Sequence, residues 1–261
     1  MDTPDPLFSL AGKTALVTGG ANGIGLMIAR GLTRRGVRTY LTGRDASRAS
    51  ARAEAIAREE GGACIGLAAD FSTKDGPAAL AAEIAAREPA LHILVNNAGT
   101  NAPGDLAGMT EDDWDEVMAV NVRAPMFLVR ELLPLLRAAA RDDDPARIVN
   151  VGSIGGLHVP NWEAHPYGGS KAAIHHLTRS LAKALGKDRI TVNAIAPGPF
   201  PSNMHDTTSE ATRKSVATYI PLERAGEAED AVGAVVFLAS RAGAYIDGHV
   251  LPLDGGYIAA L

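Results

Sequence analysis

Short apolar runs alternate with helical stretches along the whole chain, and this alternation constrains the fold more than any other feature of the sequence. The helical stretches, such as Ser47–Glu60 and Pro77–Arg87, are rich in Ala, Leu, Arg and Glu. Several of the apolar runs lack a polar alternation, which is typical of strands covered on both faces. The pattern predicts an α/β fold in which a parallel sheet lies between two layers of helices. The predicted strands are Thr14–Thr18, Arg38–Thr42, Cys64–Ala69, Ile93–Asn96, Arg147–Val151, Ile190–Ala196 and Val250–Leu253.

Composition agrees with one domain of ordinary size. With 261 residues, 46 % of them hydrophobic, the chain can bury a sizeable core. No repeat or change of composition marks a second domain, so we expect a single domain over residues 1–261, with residues 1–9 as an N-terminal tail. The net charge of −5 gives no reason to expect a nucleic-acid partner. The histidines have no compact ligand spacing, so no metal site is predicted. The charge run Arg141–Pro145 is interpreted as a solvated loop.

The sequence also bears on location in the cell. No apolar run approaches the roughly 20 residues that a membrane-spanning helix needs. The first ten residues, MDTPDPLFSL, are acidic and contain two prolines, unlike a secretory signal or a transit peptide. We therefore expect a soluble cytoplasmic protein with no membrane partner.

A glycine-rich turn follows the first predicted strand and precedes a helical pattern. Gly19, Gly23 and Gly25 have the spacing Gly-x-x-x-Gly-x-Gly, which differs from the more general Gly-x-Gly-x-x-Gly. Between a strand and a helix, such a turn places backbone N–H groups and the helix N-terminus where they can hold a pyrophosphate. A plain turn is the alternative, but the position between these two elements favours a dinucleotide site.

A tyrosine and a lysine four residues apart follow a serine in the second half of the chain. On a helix, Tyr167 and Lys171 share one face. A lysine ammonium close to a phenol lowers its pKa from about 10, which makes Tyr167 a credible proton donor to a carbonyl. Ser153, fourteen residues before the tyrosine, would hold the same carbonyl oxygen. The Tyr-x-x-x-Lys pair alone is common on exposed helices, so its weight comes from the motifs around it.

Together with the run Asn96-Asn97-Ala98-Gly99, these motifs resemble the short-chain dehydrogenases/reductases. The resemblance extends from Leu10 to Gly256, and it also includes Asp70, Asn121, Pro197-Gly198 and Leu253-Asp254-Gly255-Gly256. It implies a single-domain Rossmann-like doubly wound fold, with a seven-stranded parallel sheet in the order 3-2-1-4-5-6-7. It also implies an NAD(P)-dependent enzyme that acts on CH–OH or C=O groups.

The resemblance assigns roles to individual residues. Ser153, Tyr167 and Lys171 would be catalytic, together with Asn121, which would hold a water that links Lys171 to solvent. Lys171 would also bind the nicotinamide ribose, and Asp70 would accept from the adenine amino group. In place of the threonine that usually grips the carboxamide, this chain has Ser202. The complete set of expected cofactor contacts is Gly19, Asn22, Gly23, Ile24, Gly25, Arg44, Asp70, Phe71, Asn97, Ala98, Gly99, Tyr167, Lys171, Pro197, Gly198, Phe200 and Ser202.

The end of the second strand favours NADP(H), with NAD(H) as the alternative. NAD-preferring members end this strand in an acidic residue that binds the ribose hydroxyls. Here Gly43 takes that place, and Arg44 follows with a guanidinium that can grip a 2′-phosphate. Two residues disagree: Asn22 stands where many NADP-preferring relatives have a basic residue, and Asp45 is a nearby carboxylate.

The substrate is the least constrained prediction. The Ser-to-Tyr interval is one residue longer than in most members, within the segment from Gly155 to Pro166 that lines the substrate mouth. This interval, together with the segments IAPGPFPSNM and RAGAYIDGHVLPLDGG, resembles the subgroup of NADPH-dependent β-ketoacyl reductases linked to rhamnolipid synthesis, which points to a 3-oxoacyl thioester or a similar ketone. His165 is interpreted as a loop or helix-start residue, not as a catalytic base.

Other activities are alternatives to this interpretation. The main one is an NAD(H)-dependent alcohol, sugar or steroid dehydrogenase of the same family. A non-catalytic nucleotide sensor would have lost Tyr167 or Lys171. An enoyl reductase would need its tyrosine and lysine seven residues apart, but residue 174 is Ile.

Relatives of this kind usually form tetramers, so a homotetramer or homodimer is expected here. One interface would be built from the two long helices predicted at about Glu111–Ala139 and Pro166–Leu185. The second helix has more apolar positions than one core-facing stripe requires.

Overall fold

Seven parallel strands form the sheet in the computed structural model, which describes residues 5–159, 163–201 and 209–260. The strand order is β3-β2-β1-β4-β5-β6-β7, as the resemblance implies. All seven predicted strands are confirmed, with ends that differ by at most one residue. They are β1 Thr14–Val17, β2 Arg38–Gly43, β3 Cys64–Ala68, β4 Ile93–Asn96, β5 Ala146–Val151, β6 Ile190–Pro197 and β7 Val250–Leu253.

Helices lie on both faces of this sheet. The described residues form α1 Gly23–Thr33, α2 Ala46–Glu60, α3 Gly76–Ala85, α4 Glu111–Met118, α5 Ala124–Ala139, α6 His165–Leu185, α7 Glu210–Tyr219 and α8 Ala228–Ala239. The central strands turn alternate side chains to two separate cores. In β1, Ala15 and Val17 join the core under α1 and α8, whereas Leu16 joins the core under α3 and α5. Period-two alternation with both faces buried explains why these strands are continuously apolar.

The strand order reverses at β1, which pairs with β2 on one side and β4 on the other. In open sheets of this kind, ligands bind outside the carboxyl ends of the strands at such a switch point. The loops that follow β1, β2, β4 and β5 therefore converge on one crevice, and the motifs found in the sequence lie on these loops.

A π-helical turn interrupts the long helix that was predicted over Glu111–Ala139. This turn, Ala119–Arg123, joins α4 to α5 and carries Asn121. Pro125 has no N–H to donate to the Asn121 carbonyl four residues earlier, so the regular α-helical pattern fails at this point. π-Turns within helices are frequent at functional sites.

At the amino ends of the strands, Asp144 binds two buried cations. Its carboxylate accepts hydrogen bonds from Lys13 Nζ and, at 3.3 Å, from Arg147 Nη2. The interpretation of Arg141–Pro145 as a solvated loop is thus wrong for Asp144, whose side chain is only 17 % exposed. It holds for Asp142 and Asp143, which are 81 % and 69 % exposed.

Within the described part of the chain, every helix is too short or too polar to cross a membrane.

Candidate active site

Ser153, Tyr167 and Lys171 converge at the carboxyl end of β5. Ser153 follows the strand in extended backbone and begins a short 3₁₀ turn, where its Oγ accepts the Gly155 N–H at 3.1 Å. Tyr167 and Lys171 lie one turn apart near the start of α6, with Lys171 Nζ 5.4 Å from the centroid of the tyrosine ring. The Ser153 side chain is hydrogen-bonded to Tyr167. A serine, a phenol and an ammonium therefore share one small volume.

Burial controls the electrostatics of this group. It raises the pKa of Tyr167, against the opposing effect of the hydrogen bond with Ser153. Burial also lowers the pKa of Lys171 to about 8. The predicted lowering of the tyrosine pKa by Lys171 is not confirmed, because Lys171 Nζ lies over the ring and donates to the Val151 carbonyl at 2.9 Å. Tyr167 is thus a protonated phenol at neutral pH, the form that an acid catalyst requires.

Asn121 ties three elements together behind the tyrosine and the lysine. Its Oδ1 accepts the Thr100 N–H at 2.8 Å, and its Nδ2 donates to the Thr100 carbonyl at 2.9 Å and to Ser170 Oγ at 3.0 Å. Gly99 lies between Asn121 and Lys171, since a Cβ there would be 3.3 Å from Asn121 Oδ1 and 3.7 Å from Lys171 Nζ. The asparagine side chain is engaged by protein groups, so a water held by this residue would use its main-chain carbonyl.

The glycine-rich loop fits a phosphate group because side chains cannot be accommodated in it. Gly19 has a φ of +61° and Gly23 one of +51°. A Cβ on Gly25 would overlap Asn97 Nδ2 and lie 2.6 Å from the Gly19 carbonyl. Asn97 Nδ2 in turn donates to the carbonyls of Thr18 and Gly19 at 2.9 and 3.1 Å, which fixes the loop against the end of β4. The backbone N–H groups at the start of α1 thereby form a cradle for an anion.

Two arginines lie beyond the end of β2, and the one carboxylate between them, Asp45, caps a helix. Asp45 turns its side chain to the start of α2, where it accepts from Ser47 Oγ at 2.6 Å and from the Arg48 N–H at 3.1 Å. Arg48 Nη2 donates to Asn22 Oδ1 at 2.7 Å, which brings a guanidinium to the loop before α1. The pKa of Asp70 is lowered first by hydrogen bonds with Ser72 and further by the charge of Arg44. Arg44 thus lies on the Asp70 side of the crevice, and Arg48 lies on the side of the glycine loop.

Arg48 was missed by sequence reasoning. The signal that could have identified it is its place on the first turn of α2, three residues after the capping Asp45. A long side chain at this position points back towards the helix N-terminus and the crevice. Asn22 stands where many NADP-preferring relatives have a basic residue. The contact between Arg48 and Asn22 brings a cation to the same place from α2.

The other predicted cofactor residues fall into two groups. Ala98, Pro197 and Gly198 lie at the carboxyl ends of β4 and β6, where the Gly198 N–H donates to the Leu253 carbonyl at 2.9 Å, and Ile24 lies in the first turn of α1. The side chains of Phe71 and Phe200 are instead buried in the two hydrophobic cores. Ser202 lies outside the described residues.

A cavity of about 530 Å³ lies beside the ends of β6 and β7. Its walls are mainly apolar, and an Arg224–Asp230 ion pair stands among them. The apolar walls are formed by Pro199, Phe200, Ile220, Pro221, Leu222, Pro252 and Leu253. Over the described ranges, no cluster of three His, Cys, Asp or Glu side chains could hold a metal ion.

Comparison with known proteins gives a consistent picture. A family model described as enoyl-(acyl carrier protein) reductase matches residues 19–258. The chain is 42 % identical over 254 residues to the rhamnolipids biosynthesis 3-oxoacyl-[acyl-carrier-protein] reductase of Pseudomonas aeruginosa, covering 97 % of this chain and 98 % of that protein. It is 34 % identical over 270 residues to the gluconate 5-dehydrogenase of Gluconobacter oxydans, covering both chains in full. The solved Pseudomonas aeruginosa RhlG/NADP active-site complex superposes with a TM-score of 0.92 at 42 % identity, over 97 % of this chain and 99 % of that one.

Proposed function

Because this chain belongs to the short-chain dehydrogenase/reductase family of oxidoreductases, we propose that it reduces the keto group of a 3-oxoacyl thioester, or of a similar ketone, with NADPH. The observation that carries this proposal is the convergence of Ser153, Tyr167 and Lys171 at the carboxyl end of β5. Its substrate class rests on the 42 % identical reductase of Pseudomonas aeruginosa.

In the proposed reaction, the bound nicotinamide cofactor supplies the hydride that reduces the carbonyl carbon. Tyr167 donates its phenolic proton to the carbonyl oxygen as the C–O double bond is reduced, which yields a secondary alcohol. Ser153 holds that oxygen with a second hydrogen bond. The raised pKa of Tyr167 keeps the donor protonated at neutral pH, which suits the direction of ketone reduction. Lys171 then returns a proton to the phenolate, and we assign to the Asn121 carbonyl the water that connects Lys171 to solvent.

The preference for NADP(H) is supported by the charges around the end of β2. Gly43 contributes no carboxylate, and Asp45 uses its own to cap α2. Arg44 and Arg48 are both exposed on either side of this point and would bind a 2′-phosphate between them. The glycine loop and the start of α1 would hold the pyrophosphate, with Asp70 at the adenine end. The cofactor in the superposed relative is NADP.

Two other activities are separated from the proposed one by specific residues. The enoyl reductase named by the family model would place its lysine at position 174, which is a buried isoleucine in α6. Oxidation of a sugar acid is favoured by the gluconate 5-dehydrogenase relative, so we retain it as the second candidate. The mainly apolar cavity beside Phe200 suits an acyl chain better than a polyhydroxylated sugar acid.

Replacing Tyr167 with phenylalanine tests the chemistry. General acid catalysis is typically worth about 10²–10⁴-fold, so we expect kcat to fall by at least that range while NADPH binding is nearly unchanged. Tyr245→Phe is a matched control, because the Tyr245 side chain is fully exposed on the surface. NADPH oxidation would be followed with a 3-oxoacyl thioester, and NADP⁺ and NAD⁺ reduction with gluconate. If Tyr167→Phe kept more than half of the activity, the proposed mechanism would be wrong; turnover of gluconate alone would favour the second candidate.

We also propose a homotetramer, or at least a homodimer, in the cytoplasm. Assembly is supported by exposed apolar side chains on α5 and α6, the two helices that form a subunit interface in relatives of this kind. Met126 and Phe127 on α5 are exposed, as are Ala172 and Ala184 on α6. Exposed apolar side chains that cluster on adjacent elements are typical of an interface.

A further inference from the structure

His175 is a buried imidazole directly behind the catalytic turn. It lies on α6 one turn after Lys171, and only 2 % of its surface is exposed. Its Nε2 accepts the Ser153 N–H at 3.5 Å. The mechanism proposed above uses no group on this residue, so its place beneath Ser153 needs a separate explanation.

The backbone next to Ser153 is shaped around this ring. A Cβ on Gly152 would overlap His175 Nε2 and lie 2.6 Å from Cδ2. The Gly152 N–H is meanwhile held by the Ile195 carbonyl at 2.8 Å, so the strand cannot move away from the ring without losing a sheet hydrogen bond. Glycine at position 152 and histidine at position 175 therefore depend on each other.

The imidazole is present as a neutral ring. Burial lowers the pKa of His175 to about 4. A hydrogen bond with the Gly156 backbone opposes this lowering, and the positive charges of Lys171 and Arg179 add to it. A neutral ring with its proton on Nδ1 offers a lone pair on Nε2 to the Ser153 N–H.

We propose that His175 is a positioning residue, whose Nε2 fixes the Ser153 backbone so that the serine hydroxyl stays directed at Tyr167 and the substrate oxygen. The inference rests on the proposed function of Ser153. The serine Oγ already accepts the Gly155 N–H, so the contact with His175 fixes the same residue from its other side. A misplacement of about 1 Å at a reacting group can cost about 10²-fold in rate, which gives a single backbone contact a measurable effect on turnover.

The test compares His175→Leu with His175→Gln, whose side-chain oxygen can still accept the Ser153 N–H. His176→Leu is the matched control, because His176 is the exposed neighbour of His175 on the same helix. With the 3-oxoacyl thioester and NADPH, His175→Leu is expected to lower kcat about tenfold or more, with KM and the NADPH Kd within about twofold of wild type. His175→Gln is expected to restore most of the lost kcat, and His176→Leu to leave it unchanged. A folded His175→Leu variant with wild-type kcat, or equal losses in the leucine and glutamine variants, would overturn the proposal.

Hydrogen exchange gives a second readout that needs no catalytic activity. The Ser153 amide is expected to exchange at least about tenfold faster in His175→Leu, while the Gly152 amide, bound to the Ile195 carbonyl, keeps its rate. If the leucine variant fails to fold, His175→Gln is compared with wild type at the same amide, where faster exchange together with wild-type kcat would refute the inference. Failure of the proposed function has a different signature: wild type and Tyr167→Phe would then be equally inert toward carbonyl substrates, whereas the Ser153 amide would still respond to His175→Leu.

Discussion

Replacing Asp144 with asparagine removes one negative charge from the buried cluster at the amino ends of the strands. Asp144 is the shared acceptor of Lys13 and Arg147, and Arg147 is only 1 % exposed. In the asparagine variant these two cations would face each other without the intervening carboxylate. The charge of Arg147 already acts to lower the pKa of Lys13, after the larger effect of burial. We therefore expect a large loss of stability from a change of only one side-chain atom.

The size of the loss follows from what remains after the substitution. Removing one partner from a buried ion pair costs about 3–5 kcal/mol. Arg147 keeps two further acceptors, the carbonyls of Pro145 and Ser240, the second at 3.0 Å. Asparagine also retains one acceptor oxygen, so the expected value is about 3 kcal/mol, at the lower end of that range. This is a large share of the roughly 5–15 kcal/mol by which proteins are usually stable.

Urea unfolding at one fixed protein concentration measures this loss, and the same charge run supplies the controls. Asp142→Asn and Asp143→Asn remove equally charged but exposed side chains, so each should change the unfolding free energy by no more than about 0.5 kcal/mol. Asp144→Asn should leave kcat nearly unchanged where the protein is folded, because Ser153 lies at the opposite ends of the strands. A loss below about 1 kcal/mol, or one equal to that of the controls, would refute the assignment of Asp144 to a buried cluster.

Three further predictions follow from the structure. Arg44→Ala and Arg48→Ala should each weaken NADPH binding by about one to two decades in calorimetry and leave NADH binding unchanged, because each removes a charge-assisted bond of about 1.5–3 kcal/mol. Arg52→Ala, at an exposed position, is the control, and equal losses of affinity for both cofactors would contradict the assignment. Light scattering should give about four times the 27.1 kDa chain mass, and a monomer mass that persists across micromolar concentrations would exclude the tetramer. Because the pKa of His175 falls from 6.5 to about 4 on folding, the unfolded chain binds more protons than the folded chain between these pH values. The stability of the protein should therefore fall as the pH drops from 6.5 to about 4, and it should fall less in His175→Leu. If the unfolding free energy measured with urea fell by the same amount between pH 6.5 and 4.5 in wild type and in His175→Leu, His175 would not be buried as a neutral ring.

Much of the fold was predictable because the strands are buried on both faces. That environment requires continuous apolar runs such as the one at Ile93–Asn96, and runs of this kind are visible without any knowledge of tertiary contacts. The interruption at Asn121 was less visible, although Pro125 indicates in hindsight that a helix through this point could not be regular. That Ser153, Tyr167 and Lys171 lie close together could be predicted because their spacing on one helix and one strand end is local in sequence.

The remaining features depend on burial and on contacts that are distant in sequence. The sign of the Tyr167 pKa shift follows from how deeply the ring is buried, whereas the motif contains only the nearby charge of Lys171. The Arg48–Asn22 contact joins the first turn of α2 to the loop before α1 through one long side chain. Asp144 was misassigned because a run of four charged residues looks solvated, and only the folded sheet brings Lys13 to it.

A difference in burial and hydrogen bonding also explains why the reaction is easier to predict from the sequence than the substrate. The side chains that position the chemistry are tied to one another: Asn97 holds the glycine loop, Asn121 joins Thr100 to Ser170, and the Ser170 hydroxyl donates to the Tyr167 carbonyl at 2.7 Å. Each of these bonds is buried or partly buried, so changing one residue would leave its partner unpaired at a cost of about 1–3 kcal/mol. The aromatic contacts beyond the Ser153 turn carry no such penalty: Tyr219 is exposed and His158 is half-buried, and their rings contact the Tyr257 ring with centroids 6.4 and 5.0 Å away. Ring contacts of this kind can be replaced without leaving a buried polar group unpaired, and substrate selection can therefore change while hydride and proton transfer stay the same.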